Sequence, residues 1–109
     1  MLFATGWDRH WRTEQYASPE HPYVTNEAVT ALIVGGAVVA GIDSVNIDDT
    51  RGGVRPVHSQ LLEAGILIVE HLTGLERLIG QHFRFFAVPP KVRGMGTFPV
   101  RAFAVVGDD

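Results

Sequence analysis

The 109-residue sequence contains no cysteine. This absence excludes disulfide bonds and thiolate metal sites, so a metal site would have to use histidine nitrogen and carboxylate oxygen. The sequence also lacks an apolar run of about 18 residues, the minimum for a membrane span, and its first residues lack the basic and apolar regions of a signal peptide. We therefore expect a soluble cytoplasmic protein without a membrane partner.

Positive charge is also scarce, because 9 Lys and Arg residues face 12 Asp and Glu residues and give a net charge of −3. No basic patch is evident, so nucleic acid is not an expected partner. The hydrophobic content of 46% is typical of a globular chain, and the length of 109 residues suits one domain. We expect residues 1–109 to form a single domain.

Apolar runs alternate with turn signals along the chain, which predicts an α/β layered fold with flanking helices. The sheet should be parallel in its middle and antiparallel at its end, where the last two strands form a hairpin-like return. Strands are predicted at Leu2–Ala4, Ala37–Ile42, Ile66–Val69, Phe83–Val88 and Val100–Val106. Helices are predicted from Thr25 or Asn26 to Gly35-Gly36, over Val57–Ala64, and as a short turn from Thr73 or Gly74 to Ile79.

The segment from Trp7 to Tyr23 is predicted to be irregular, because Pro19 and Pro22 block regular structure. One interpretation is a surface loop pinned by the aromatic side chains of Trp7, Trp11 and Tyr16. The other is a loop that lies over a pocket, since loops on a rigid scaffold carry much of protein function. The two interpretations are equally supported by the pattern.

The stretch PVHSQLLEAGILIVEH, from Pro56 to His71, is the candidate for a functional site. Four aliphatic residues in a row predict a strand covered on both faces, and Glu70 follows at its carboxyl end, where open α/β sheets place ligand sites. His58 lies twelve positions earlier, near the start of the preceding helix. A helix-turn-strand reversal would bring the two side chains together as metal ligands. The alternative is a hydrogen-bonding histidine and a solvated acid.

Asp43 follows another predicted strand, so it could line the same pocket. The pattern favours a local role, in which its carboxylate accepts backbone N–H bonds in the turn to Val45.

Four segments resemble the putative cyclase family, which includes bacterial kynurenine formamidase and isatin hydrolase. They are TGWD (5–8), AGIDSVNID (40–48), VHSQLLEAGILIVE (57–70) and PPKVRGMGTFPVRAFAV (89–105). They follow the order of the carboxyl-terminal half of that family. The resemblance implies a swivelling β/β/α type of fold, truncated at its amino-terminal side.

The resemblance also implies a binuclear centre of zinc or manganese, with His58 and Glu70 at two of the ligand positions. The implied reaction is hydrolysis of an N-formyl aryl amine, such as N-formylkynurenine, or of a cyclic amide by metal-activated water. The family's His-x-Gly-Thr-His-x-Asp run and its proton-shuttle histidine are absent, so no catalytic residue is assigned. His71 replaces the usual asparagine after the glutamate, either as a further ligand or, as favoured here, as a cap of the loop.

Two functional hypotheses follow. In the first, the chain belongs to a metal-dependent amidohydrolase and acts with a complementing amino-terminal half, with Trp7 and Trp11 in contact with the amide substrate. In the second, it is a non-catalytic binding or interaction module that folds by self-association. Both predict assembly, because an incomplete α/β layer exposes apolar surface and a strand edge that a homo-oligomer or the complementing half would cover.

Overall fold

A computed structural model describes residues 1–107 of the chain. The chain consists of two compact units, Met1–Glu76 and a second unit that begins at Arg77. Each unit is described by itself below. The expectation that residues 1–109 form one domain remains a prediction.

The first unit contains a three-stranded parallel sheet with the order β1-β2-β3. Because all three strands run in the same direction, their carboxyl ends meet at one edge of the sheet. The strands are β1 (Leu2–Phe3), β2 (Val39–Ile42) and β3 (Leu67–Val69), and the helices are α1 (Asn26–Val34) and α2 (Pro56–Glu63). Short 3-10 helices span Trp7–His10, Glu14–Ala17 and Leu75–Leu78.

The two α-helices begin and end where local sequence signals place them. The Thr25 hydroxyl accepts a hydrogen bond from the Ala28 backbone N–H at 3.2 Å and caps α1, as the sequence predicts. Helix α2 begins with Pro56 at its first position, where a missing N–H costs no helical hydrogen bond. Gly65 ends α2 in the left-handed conformation, with φ of 77°.

Both helices pack on one face of the sheet. Residues of the two helices, of β2 and of the adjoining loops form one buried cluster: Val24, Val29, Leu32, Ala40, Ile42, Ile47, Val57, Leu61 and Ile66. The other face is more open, and Leu67 in β3 is 64% exposed. The prediction that β3 is covered on both faces is therefore wrong, because the helices cover one face of the sheet and the side chain of Leu67 lies on the other.

The segment from Trp7 to Tyr23 is more ordered than the sequence suggests. Two 3-10 helices interrupt it, and the side chains of Trp7 and Tyr16 are buried while that of Trp11 is 45% exposed. The prediction of aromatic pinning therefore holds for Trp7 and Tyr16.

The second unit contains an antiparallel hairpin of β4 (Phe83–Val88) and β5 (Arg101–Val106). Phe86 lies opposite Phe103, and their rings stack with centroids 4.9 Å apart. The predicted hairpin-like return is confirmed, and so is the α/β class with a parallel middle. In the described part of the chain, no helix is long and apolar enough to cross a membrane.

Candidate metal site at the carboxyl edge of the sheet

Asp43 follows β2 at the carboxyl edge and is 1% exposed. Its carboxylate accepts hydrogen bonds from the backbone N–H of Thr5 at 2.8 Å, from the Thr5 hydroxyl at 2.6 Å and from the Gly6 N–H at 3.0 Å. The predicted acceptor role is correct, but these donors come from the segment after β1 instead of the turn to Val45. Asp43 therefore joins two neighbouring strand ends, which is a structural role.

The carboxylate of Asp48 fixes the start of α2 and the ring of His58 together. It is 2% exposed and accepts the backbone N–H groups of Val57 at 2.8 Å and His58 at 2.9 Å. Its Oδ2 atom, which accepts the His58 N–H, also lies 2.7 Å from the Nδ1 atom of the His58 ring. A carboxylate can only accept, so Nδ1 carries the proton in this contact. In the neutral ring, the Nε2 atom then keeps its lone pair.

Glu70 follows β3 and lies beside this lone pair. Its Oε2 atom is 3.2 Å from His58 Nε2, and the same atom accepts the Ile47 backbone N–H at 2.7 Å. Two ligands bound at about 2.1 Å to one zinc ion at a tetrahedral angle would be about 3.4 Å apart, close to the observed separation. The structure therefore brings together the two side chains that the sequence singles out, and their donor atoms suit a shared divalent ion.

Arg55 completes the surroundings of the His58 ring. Its Nη2 atom lies 2.8 Å from His58 Nε2. A guanidinium group has only donors, so this contact also requires an unprotonated Nε2. Arg55 and Asp48 together therefore select the tautomer of His58 in which Nδ1 is protonated.

The set of ligands at this edge is small. Among residues 1–107, no group of three or more His, Cys, Asp or Glu side chains is arranged to hold a metal ion. His58 and Glu70 thus supply two donor groups. A cavity of about 350 Å³ opens beside Asp48 and the first residues of α1 and α2, but neither His58 nor Glu70 lines it.

The TGWD motif ties several loops to this region. The Trp7 indole N–H donates to the Tyr16 carbonyl at 2.9 Å, and the Asp8 carboxylate accepts the Gly74 N–H at 2.8 Å. Trp7 is buried and its polar atom is already engaged. The assignment of Trp7 to substrate binding remains a prediction, although these contacts favour a structural role.

Trp11 has a more accessible position. Its ring packs edge-on against Tyr16 with centroids 5.0 Å apart, and it lies 6.3 Å from the ring of His71. His71 directly follows Glu70 in the sequence. Trp11 is therefore an exposed aromatic surface near the end of β3, and its assignment to substrate binding also remains a prediction.

The phenol of Tyr16 forms a hydrogen bond with His71 Nδ1 at 3.0 Å. Burial, and then the negative charges of Asp43, Asp8 and Glu70, raise the pKa of Tyr16 from 10.0 to about 12. The phenol is therefore protonated at neutral pH and is available as the donor in this contact.

His71 has a backbone conformation that suits asparagine, the residue that the resemblance implies at this position. His71 has φ of 63°, in the left-handed region that asparagine tolerates better than most residues. Its backbone N–H donates to the Ser44 carbonyl at 3.1 Å. These contacts agree with the favoured interpretation of His71 as a loop residue.

A family model and a solved structure both match this chain. Residues 1–49 match the family described as Putative cyclase. The chain also resembles a solved structure of a potential metal-dependent hydrolase with cyclase activity, with a TM-score of 0.59 and 29% sequence identity. This match covers 73% of the present chain but only 39% of that chain. No curated protein gives a significant match.

Sequence reasoning missed the roles of Asp48 and Arg55. Asp48 appears in the sequence only as one of two adjacent acids in a loop, and its partner His58 is ten residues away. A signal was present, since the α2 start has no capping side chain of its own and its N–H groups need an acceptor from elsewhere.

Proposed function

We propose that this chain, whose residues 1–49 match the putative cyclase family, forms one wall of the active site of a metal-dependent amidohydrolase. The observation that carries the proposal is the pairing of His58 Nε2 with Glu70 Oε2 at 3.2 Å, beside the buried carboxylate of Asp48. The family match ends at residue 49, so it does not include His58 or Glu70. Their roles rest on the geometry and on the resemblance of residues 57–70.

The three side chains have separate roles in this proposal. His58 offers Nε2 as a ligand atom, and Asp48 holds the ring so that this atom faces Glu70. Carboxylate partners of this kind raise the basicity of a histidine ligand and set its orientation. The Ile47 N–H fixes the Glu70 carboxylate, so that both donors are in place before an ion arrives.

When bound by His58 and Glu70, a divalent ion, zinc or manganese, would supply an activated water and polarise the amide carbonyl. We propose N-formyl aryl amines such as N-formylkynurenine, or cyclic amides, as substrates. Trp11 offers an exposed aromatic surface on which an aryl group can pack. No residue is assigned to proton transfer.

The remaining ligands must come from another polypeptide segment, because two donors do not complete a catalytic zinc site. We propose that an amino-terminal half with the His-x-Gly-Thr-His-x-Asp run, or a subunit of a homo-oligomer, supplies them. Cytoplasmic localisation remains a prediction.

The direct test is the affinity of the purified chain for Zn²⁺ and Mn²⁺, measured by calorimetry for wild type, His58→Ala and Glu70→Gln. Each substitution removes a proposed ligand, so each should weaken binding by more than the roughly 10–100-fold that loss of an outer-shell partner costs. His82→Ala is the matched control, because it removes an exposed histidine of the second unit. Equal affinities in His58→Ala and wild type would remove His58 from the site.

An assay with N-formylkynurenine tests the second part of the proposal. The chain alone should give no turnover, whereas a mixture with a polypeptide that carries the missing histidine run should. Turnover by the chain alone would contradict the claim that its ligand set is incomplete.

The non-catalytic alternative is favoured by one observation at the opposite end of the sheet. Val38 and Leu67 are 74% and 64% exposed and are joined by a backbone hydrogen bond of 3.0 Å, so they form an apolar surface beside an edge strand. Self-association through this surface predicts that Leu67→Lys lowers the oligomeric mass measured by analytical ultracentrifugation. An unchanged mass would count against it.

A further inference from the structure

We propose that Arg55 determines the metal affinity of this site, because its guanidinium group occupies the position on His58 Nε2 that a divalent ion must take. This inference rests on the proposed function. It adds a competing cation from the chain itself, so that metal binding is an exchange of Arg55 for the ion.

The contact has the geometry of direct competition. The His58 ring has two nitrogen atoms, and Asp48 engages Nδ1 at 2.7 Å, which leaves Nε2 as its only free ligand atom. Arg55 Nη2 lies 2.8 Å from that atom, at full hydrogen-bonding distance. An imidazole nitrogen has one lone pair, so it cannot accept this hydrogen bond and coordinate a metal ion at the same time.

The positive charge of Arg55 also opposes metal binding at this site. The carboxylates of Asp48 and Glu70 lie within 3.2 Å of the two ring nitrogens, and Arg55 places a positive charge beside them. Guanidinium does not lose its proton in proteins, so Arg55 keeps its charge after it leaves Nε2 and repels the incoming ion. The occupied lone pair of Nε2 and the repulsion by Arg55 therefore both lower the metal affinity.

The fold does not depend on the Arg55 side chain. Arg55 is exposed, and although it occupies the position before the first turn of α2, its side chain makes no capping hydrogen bond there. The N–H groups of that turn are bound by Asp48 instead. A substitution of Arg55 should therefore change the site without unfolding the helix.

The test compares Zn²⁺ and Mn²⁺ affinities of Arg55→Met with those of Arg51→Met. Arg51 is an exposed arginine of the same loop that pairs with Asp49 at 3.3 Å. The two variants remove the same charge, but only Arg55→Met frees Nε2. Because Arg55→Met removes the hydrogen bond that competes with the ion for Nε2, this variant should bind metal roughly tenfold more tightly than Arg51→Met.

A metal-free measurement supports the same comparison. In ¹⁵N NMR spectra, the His58 Nε2 signal should move in Arg55→Met, because the atom loses its donor, and should stay at the wild-type position in Arg51→Met. The double variant Arg55→Met/His58→Ala should lose the gain in metal affinity.

The possible failures can be told apart. Metal binding that depends on His58 but is equal in Arg55→Met and Arg51→Met would overturn the competition and leave the proposed function intact. A gain in Arg55→Met that survives His58→Ala would also overturn it. Metal binding that does not depend on His58, or no binding by any variant, would overturn the proposed function and this inference together.

Discussion

The surroundings of His21 and of His58 show how the same side chain is used in two ways within one unit. His21 is 1% exposed, with Nδ1 2.9 Å from the Pro22 carbonyl and Nε2 3.2 Å from the Thr50 hydroxyl. The side chain of His58 is 12% exposed, with one nitrogen on Asp48 and the other near Glu70. The first ring is enclosed by neutral groups, and the second lies between two carboxylates with the Arg55 guanidinium also in contact with Nε2.

This difference separates a structural histidine from a candidate ligand. Neutral partners on both nitrogens leave no atom for a metal, and burial keeps solvent away. A carboxylate on one nitrogen and a second carboxylate beside the other create a negative site that favours a cation. The number of histidines in a sequence therefore says little until the partner of each nitrogen is known.

The largest effect on stability is expected from His21→Ala. The substitution leaves a cavity and removes the partners of Pro22 and Thr50, so the free energy of unfolding should fall by about 2–4 kcal/mol. Metal affinity of the folded protein should not change. Urea denaturation and calorimetry measure the two quantities.

The matched control is His82→Ala, which removes an exposed histidine and should leave the stability near that of wild type. If His21→Ala and His82→Ala were equally stable, the structural role of His21 would be wrong. If folded His21→Ala lost metal binding, the assignment of His58 and not His21 as the metal ligand would be wrong.

Asp48→Ala should have a smaller effect on stability than His21→Ala, but it should lower both the free energy of unfolding and the metal affinity. Two backbone N–H groups at the start of α2 lose their acceptor, which predicts a loss of about 1–3 kcal/mol in the free energy of unfolding. His58 loses the group that orients it, which predicts roughly 10–100-fold weaker metal binding. The tautomer of His58, observed by ¹⁵N NMR, should no longer be fixed as the Nδ1-protonated form.

Asp49→Ala is the control for Asp48→Ala, since it removes the same charge from the adjacent residue. Asp49 contacts Arg51, so neither the α2 start nor the His58 ring should respond. A purely structural Asp48 would lower stability and leave both the His58 tautomer and the metal affinity unchanged.

Tyr16→Phe should have the smallest effect at neutral pH. The lost hydrogen bond to His71 should lower the free energy of unfolding by about 1 kcal/mol. Its effect depends on pH, because burial and the charges of Asp43, Asp8 and Glu70 raise the pKa of Tyr16 from 10.0 to about 12. The folded state therefore holds this proton more tightly than the unfolded state. The stabilisation is complete below pH 10 and is lost as the pH rises from 10 towards 12.

The measurement is the free energy of unfolding of wild type and Tyr16→Phe across this pH range. The wild type should lose stability more steeply than the variant, and the exposed Tyr23→Phe should behave like wild type. Parallel curves for wild type and Tyr16→Phe would show that the phenol does not stabilise the fold through its proton.

Much of the architecture could be predicted because its signals are local. Thr25 and Gly35-Gly36 bound α1 within a residue of the observed helix, and the aromatic run Phe83–Val88 is a strand over its full predicted length. The exposure of Leu67 could not be predicted, because a short apolar run looks the same in a strand that is covered on one face and in a strand that is covered on both. The sequence does not show on which face of the sheet the helices pack.

The amino-acid sequence by itself determined which segments become helix or strand and placed His58 and Glu70 at a helix start and a strand end. These are properties of neighbouring residues, set by turn residues, capping groups and apolar runs. Only the tertiary structure decided which atoms of His58 are engaged, because Asp48 and Arg55 reach the ring from the loop before α2 and Glu70 reaches it from the end of β3. The chemistry of an imidazole depends on the partner of each nitrogen, and those partners are brought together only when the helix and the strands pack.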